Sequence, residues 1–158
     1  MSITIRAAKK EDAGLVLSFI KKIAAYERLS NQVTATAEML EEFVFEKQAA
    51  WVLIAEFNGA PCGFALFYEN FSTFKGRTGL HLEDLFVDES MRGRGIGKAL
   101  LGAVCREAQK RGAPRLEWTC LNWNAPSIAF YRYMGAKAMD EWTTFRLEDH
   151  EIALAENK

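Results

Sequence analysis

The chain has 158 residues, of which 49% are hydrophobic and 26% charged, with a formal net charge of -1 at pH 7. This size and composition predict one globular domain over residues 1–158, and the nearly neutral charge argues against nucleic acid or an anionic membrane as a partner. Its three cysteines form no CxxC pair. We see neither a signal peptide nor an apolar run of the roughly 20 residues that a membrane span needs, so we expect a reduced, cytoplasmic protein.

The first third of the chain predicts one strand and two helices. Residues 3–7 alternate between apolar and polar side chains, as in a strand. Apolar residues at helical spacing then predict a long helix over residues 11–27. Thr34 or Thr36 is a candidate N-cap for a second helix.

The middle of the chain predicts a hairpin and a further strand. Residues 50–57 and 62–68 are strand-like, and the Asn58-Gly59 pair between them is a strong turn signal. Residues 70–79 are polar and contain glycine, so we expect a loop there. The next strand, residues 80–87, is apolar on both faces except at His81, Glu83 and Asp84. Polar residues inside a buried strand need an explanation.

Two helices and further strands are predicted in the second half. A helix over residues 96–111 should end at Gly112, and residues 115–121 form another strand. Asn124 is a candidate N-cap for a short helix that starts at Pro126 and stops at Gly135.

The end of the chain predicts a last pair of strands within residues 138–147. From Asp149 onwards, including His150, we expect a frayed tail. The element order as a whole predicts an α/β fold with a mixed, largely antiparallel sheet.

A cluster of arginine and glycine, Arg92-Gly93-Arg94-Gly95-Ile96-Gly97, joins the strand over 80–87 to the following helix. A P-loop ending at Lys98 would need glycine where Arg92 stands, and the dinucleotide pattern fails at Lys98 and at Leu100. What remains is a cradle of backbone N–H groups at a helix start, with a pyrophosphate as the expected ligand. Arg92, Arg94 and Lys98 add positive charge to it. A simple solvated turn is the alternative.

This cluster, following Leu85-Phe86-Val87, resembles the coenzyme A pyrophosphate loop of the GNAT acetyltransferase superfamily, whose pattern is Arg/Gln-x-x-Gly-x-Gly/Ala. A second match is Asn124-Ala125-Pro126-Ser127-Ile128-Ala129-Phe130-Tyr131-Arg132, followed by Gly135-Ala136. Three more segments look like the diamine (spermidine/spermine) acetyltransferase branch: Ala25-Tyr26-Glu27, Leu82-Glu83-Asp84-Leu85-Phe86-Val87 and Trp123-Asn124-Ala125-Pro126-Ser127. The resemblance keeps the motifs in order over nearly the whole chain.

The resemblance implies a GNAT fold, in which a mixed, mostly antiparallel central sheet is flanked by helices and a splayed strand pair holds the cofactor. It implies an acetyl-CoA-dependent N-acetyltransferase that acts by direct attack of an amine through a tetrahedral intermediate. A homodimer is also implied, and no metal is expected. The residues implied to bind coenzyme A are Leu85, Phe86, Val87, Arg92, Gly93, Arg94, Gly95, Ile96, Gly97, Lys98, Asn124, Ser127 and Tyr131.

The reaction itself needs a neutral amine. An alkylammonium like that of lysine has a pKa of about 10.4, so only about one molecule in a few thousand is the free base at pH 7. Glu83 is the candidate base, acting directly or through an ordered water. His81 falls on the same face of the strand and could position that water, although a structural role is favoured. Tyr131 matches the general acid of the family.

Substrate residues are implied by the diamine branch, which places cation contacts at Tyr26 and Glu27. Together with Glu83 and Asp84 they predict a small basic amine as substrate: a polyamine, a diamine or a lysine-like amino acid. Structural roles are the alternatives, with Glu83 in an ion pair, Tyr131 as a packed aromatic and Tyr26-Glu27 as a plain helix end. The alternative function is a non-catalytic coenzyme A-binding sensor or interaction module. Catalysis is favoured because a binding module needs only the cradle.

Overall fold

The computed structural model describes residues 2–158, which fall into two compact units. The first unit ends at Leu121, and the second is Asn122–Lys158. The single domain expected over the whole chain stays a prediction. Within the described residues, no helix has the length and apolar character needed to cross a membrane.

The first unit is built on a five-stranded sheet whose strands lie in sequence order. Neighbours among the first four strands are antiparallel, and the fifth is parallel to the fourth. The sheet is therefore mixed and mostly antiparallel, as predicted. Its strands are β1 (Ile3–Ala7), β2 (Trp51–Phe57), β3 (Ala60–Ser72), β4 (Arg77–Val87) and β5 (Leu116–Glu117).

Three helices accompany the sheet: α1 (Ala13–Tyr26), α2 (Ala37–Leu40), which continues as a π-helical segment (Glu41–Glu46), and α3 (Ile96–Lys110). Short 3-10 turns occupy Lys10–Asp12, Ser30–Gln32 and Glu89–Met91. Of the two candidate caps for α2, the structure selects Thr36, whose Oγ1 accepts a hydrogen bond from the Met39 N–H at 3.2 Å.

Packing between α1 and the sheet sets the position of the later site. Phe19 of α1 stacks on Phe64 of β3 with ring centres 5.5 Å apart, and it meets Phe86 of β4 at 6.4 Å. All three rings are buried. Because large apolar side chains dominate the free energy of burial, these contacts hold α1 against β3 and β4.

The hairpin of β3 and β4 is longer than predicted, so the expected loop over residues 70–79 is wrong. Asn70 pairs with Gly79, and Phe71 pairs with Thr78, which leaves only residues 73–76 as the connection. Pairing with a neighbouring strand outweighs the polar local composition. The opposite error concerns residues 115–121, of which only Leu116–Glu117 forms a strand.

The second unit contains α4 (Ala125–Tyr133) and α5 (Asp149–Glu156). The pair of strands expected within residues 138–147 is wrong, since the described chain has no strand there. The frayed tail expected from Asp149 is also wrong, because His150 and its neighbours are helical. A capping box stabilises this helix, in which the Glu148 N–H donates to Glu151 Oε2 at 2.9 Å.

Candidate active site

The arginine and glycine cluster forms the turn between β4 and α3. Gly93 and Gly95 have φ angles of 77° and 83°, in the left-handed region that favours glycine. The Ala99 N–H donates to the Gly95 carbonyl at 3.0 Å. Ile96 and Gly97 come before Ala99, so their N–H groups belong to the first turn of α3, at its N-terminal end. Donors in this position, together with the helix dipole, suit an anion.

The two arginines of the turn both lie against aromatic rings. The Arg92 guanidinium is 4.7 Å from the centre of the Tyr26 ring, and its Nε donates to the Val87 carbonyl at 3.0 Å. The Arg94 guanidinium is 5.3 Å from the centre of the Phe57 ring. These contacts tie the turn to α1 on one side and to β2 on the other.

Glu83 interrupts the ladder between β3 and β4. Leu82 pairs with Phe67 and Asp84 with Leu66, so Glu83 is the extra residue of a β-bulge. A bulge bends its strand, re-aims a side chain and is frequent beside active sites. The Glu83 side chain is 54% exposed, whereas the other residues of β4 except Arg77 are buried or half-buried. The bulge thus explains how a charged residue is accommodated in this strand.

One edge of β4 loses its partner close to the bulge. Pairing with β5 occurs only at Leu80 with Leu116 and at His81 with Glu117. Beyond that point, residues 82–87 have no strand partner on this edge anywhere in the described chain. Such an edge presents backbone N–H and C=O groups with which an extended ligand can pair.

The Glu83 charge acts on two neighbouring carboxyl groups, those of Glu27 and Asp84. Burial, followed by the charges of Glu83 and Glu27, raises the pKa of Asp84 to about 7. Burial and the Glu83 charge also raise the pKa of Glu27. The C-terminal end of α1 therefore contributes to the same acidic cluster as β4, and a cation would relieve the repulsion among these groups.

This acidic cluster makes stability depend on pH. In the unfolded chain Asp84 ionises near its ordinary value of 3.8, whereas in the folded chain it stays protonated up to about 7. The folded state is thus favoured at low pH, and this contribution to the free energy of unfolding is lost as the pH rises through that window. We expect the free energy of unfolding to fall less with rising pH in Asp84→Asn than in the wild type, by at most roughly 4 kcal/mol over this window. Urea unfolding of both proteins across the window measures it; identical pH profiles would contradict the prediction.

His81 and Tyr68 lie beside Glu83. His81 Nε2 is 3.7 Å from Glu83 Oε2, which is longer than a hydrogen bond, and the His81 and Tyr68 rings are 5.0 Å apart. Burial and the Glu83 charge raise the pKa of Tyr68. No local pattern in the sequence singles out Tyr68. It is the direct cross-strand partner of His81, and finding it requires the strand register.

The second predicted motif lies on α4, in the second unit. Asn124 is the N-cap, and its Oδ1 accepts a hydrogen bond from the Ser127 N–H at 3.4 Å. Tyr131 is half-buried, and its ring is tilted against that of Phe130 with centres 5.5 Å apart. Because Asn124, Ser127 and Tyr131 are spaced by three and four residues, they share one side of the helix.

Residues 20–136 match the family model described as acetyltransferase (GNAT) family. The chain belongs to this family. The acetyltransferase is 35% identical to the thialysine N-epsilon-acetyltransferase of Bos taurus, in an alignment that covers 92% of each chain. It is 28% identical to spermidine/spermine N(1)-acetyltransferase-like protein 1 of Homo sapiens, across 94% of the acetyltransferase and 23% of that protein. A solved integron cassette protein of V. cholerae matches with a TM-score of 0.81 and 27% identity, covering 100% and 99% of the two chains.

These relatives confirm the predicted resemblance to the diamine acetyltransferase branch, and the neighbouring structure confirms the GNAT fold. The protein is an N-acetyltransferase. The roles of its individual residues stay predictions.

Proposed function

We propose that this acetyltransferase transfers an acetyl group from acetyl-CoA to a primary amine of a small basic molecule. The observation that carries the proposal is the bulge at Glu83. It exposes a carboxylate within the acidic cluster, close to where the edge of β4 becomes open. A cationic acceptor and an extended acyl donor can then meet at the same strand.

The turn and the open edge fit acetyl-CoA, which supplies a thioester. Gly93 and Gly95 have no neighbouring atom within 4 Å of where a Cβ would stand, so a diphosphate can approach the N–H groups of Ile96 and Gly97. Residues 85–87 offer backbone groups to the pantetheine arm, and an N–H near Phe86 can donate to the oxyanion of the tetrahedral intermediate. From α4, the proposed contacts with acetyl-CoA are Asn124, Ser127 and Tyr131.

Glu83 is the proposed general base. The acceptor ammonium must lose a proton before it attacks, a deficit of roughly 4 to 5 kcal/mol at pH 7 for a lysine-like amine. The exposed Glu83 carboxylate can take that proton directly or through a water. Asp84 is half-buried whereas Glu83 is exposed, so Asp84 is proposed to contact the acceptor and Glu83 to take its proton.

Tyr131 is the proposed general acid. The amine attacks the acyl carbon to form the tetrahedral intermediate, whose collapse breaks the bond between carbon and sulfur, and the departing thiolate takes the phenolic proton of Tyr131. The nitrogen loses two protons in all. Glu83 or its water takes the first before the attack, and the second returns to the Tyr131 phenolate as the amide forms, so protons and electrons balance. The position of Tyr131 in the second motif, on the same side of α4 as Asn124 and Ser127, supports this role.

The acceptor is proposed to carry a second cationic group. Glu27, Glu83 and Asp84 provide more negative charge than a simple monoamine needs. The bovine relative is named for thialysine, and the human one for spermidine and spermine. A lysine-like amino acid, a diamine or a polyamine fits both the charge and these relatives.

Release of free thiol from acetyl-CoA, measured across polyamines, diamines and basic amino acids, tests the proposal. We expect the highest kcat/KM for acceptors with a second cation, so cadaverine should exceed its matched monoamine, pentylamine. Mass spectrometry of the product locates the acetyl group. No thiol release with any amine, combined with retained coenzyme A binding, would instead support the non-catalytic sensor or interaction module.

A homodimer is proposed from the family, and a cytoplasmic location is proposed from the cysteine usage. Phe71 and Phe74, at the end of the β3–β4 hairpin, are 58% and 97% exposed, which supports an apolar contact with another chain. Size-exclusion chromatography with light scattering measures the mass in solution.

A further inference from the structure

The Arg92 side chain joins the anion cradle to the end of α1. Its guanidinium lies 4.7 Å from the Tyr26 ring centre and 5.5 Å from that of Phe86. Its own N–H donates to the Glu89 carbonyl at 3.3 Å, and its Nε donates to the Val87 carbonyl at 3.0 Å. The backbone and the Nε of Arg92 are therefore used inside the turn, and its planar head rests on α1 and β4.

Tyr26 is the last residue of α1, and Glu27 of the acidic cluster follows it directly. The chain then turns sharply, because Arg28 has a φ of 61° and the Leu29 N–H donates back to the Ala24 carbonyl at 2.8 Å. This bond caps the backbone at the helix end, and the Arg92 guanidinium packs on the Tyr26 side chain next to that cap. A side chain stacked on Tyr26 therefore influences where the Glu27 carboxylate lies.

A second contact links the same two segments. Lys22 Nζ lies 2.7 Å from Asp88 Oδ1, with side-chain exposures of 51% and 23%. Exposed ion pairs contribute little to stability. The contact of Arg92 differs in kind, because its planar head matches the Tyr26 ring and is weakly hydrated.

We infer that Arg92 is a positioning residue for the acceptor amine, holding Tyr26 and through it the Glu27 carboxylate in place beside Glu83. The inference rests on the proposed function and deepens it. An acyl donor bound to the cradle orders the turn that carries Arg92, so donor and acceptor affinities are coupled. The donor and acceptor sites thus share one side chain.

A double-mutant cycle tests this role. Arg92→Lys keeps the charge but loses the planar contact, and Tyr26→Leu removes the ring. Each should raise the KM for the amine about threefold to tenfold, and the double variant should be no worse than the more affected single variant. Tyr26→Phe, which retains the aromatic face, should recover most of the amine affinity that Tyr26→Leu loses, so its KM for the amine should lie well below that of Tyr26→Leu. Thermal melts confirm that each variant is folded.

Arg94 and Phe57 provide a matched control, since the same kind of contact, at 5.3 Å, links the turn to β2 instead of α1. Arg94→Lys and Phe57→Leu should leave the amine KM within about twofold, whatever they do to the KM for acetyl-CoA. An amine KM that responds equally in both cycles would overturn the inference.

Two further outcomes would overturn it. Additive effects of Arg92→Lys and Tyr26→Leu would show that the two side chains act independently. A rise confined to the KM for acetyl-CoA would make Arg92 a donor contact only. Wild-type activity separates this failure from that of the proposed function: an active wild type with an additive cycle overturns the positioning role alone, whereas an inactive wild type overturns both.

Discussion

Replacing Glu83 with glutamine should lower kcat for amine acetylation by about 10²- to 10⁴-fold. Glutamine has nearly the same shape and fits the same bulge, but its amide cannot take a proton from the acceptor ammonium. The KM for acetyl-CoA should stay within about twofold, because the glycine turn is unchanged. Thiol release under saturating donor and amine gives kcat directly.

The pH profile shows whether the lost function is that of a base. If Glu83 removes the proton, the residual rate of Glu83→Gln should rise about tenfold per pH unit towards the pKa of the amine, near 10.4 for a lysine-like group. Asp84→Asn is the matched variant, since it neutralises the adjacent carboxyl and should raise the amine KM more than it lowers kcat. Unchanged kcat in Glu83→Gln would assign the proton transfer to another group.

Replacing Tyr131 with phenylalanine should also lower kcat, again by about 10²- to 10⁴-fold. The ring and its contact with Phe130, with centres 5.5 Å apart, can persist, so only the phenolic proton is removed. The thiolate then departs without a donor held close to it. Coenzyme A affinity, measured by calorimetry, should change by no more than about twofold.

Tyr133, two residues further along α4, provides the control for this substitution. Tyr133→Phe makes the same chemical change at a side chain that is 75% exposed, and kcat should remain within about twofold of the wild type. Equal losses in the two variants would indicate a general disturbance of α4. Full activity of Tyr131→Phe would remove this phenol from the mechanism.

Most elements of the fold follow from signals that are local in the chain. The Asn58-Gly59 pair places the first hairpin turn, with a φ of 83° at Gly59. The apolar periodicity of α3 is bounded by Gly95 and Gly112, and α4 begins at the Asn124 cap. Such patterns depend on neighbours within a few residues, so they can be interpreted before any tertiary contact is known.

Local signals predicted the wrong secondary structure in segments where strand pairing or helix capping determines the conformation. Residues 70–79 look like a loop, yet most of them join β3 and β4, because pairing with the partner strand satisfies their backbone groups. The segment from Asp149 looks like a tail, and its capping box makes it a helix.

The sequence by itself determined the element order as far as α4, the glycine turn and the identities of the acidic and phenolic candidates, because these depend on residue type and short-range spacing. Only the tertiary structure decided that Glu83 is the bulged residue, that Tyr68 faces His81 and that Arg92 rests on Tyr26. Each of these depends on the register between strands or on the packing of α1 against β4. Register and packing are set by contacts between residues far apart in the chain, which no local pattern encodes.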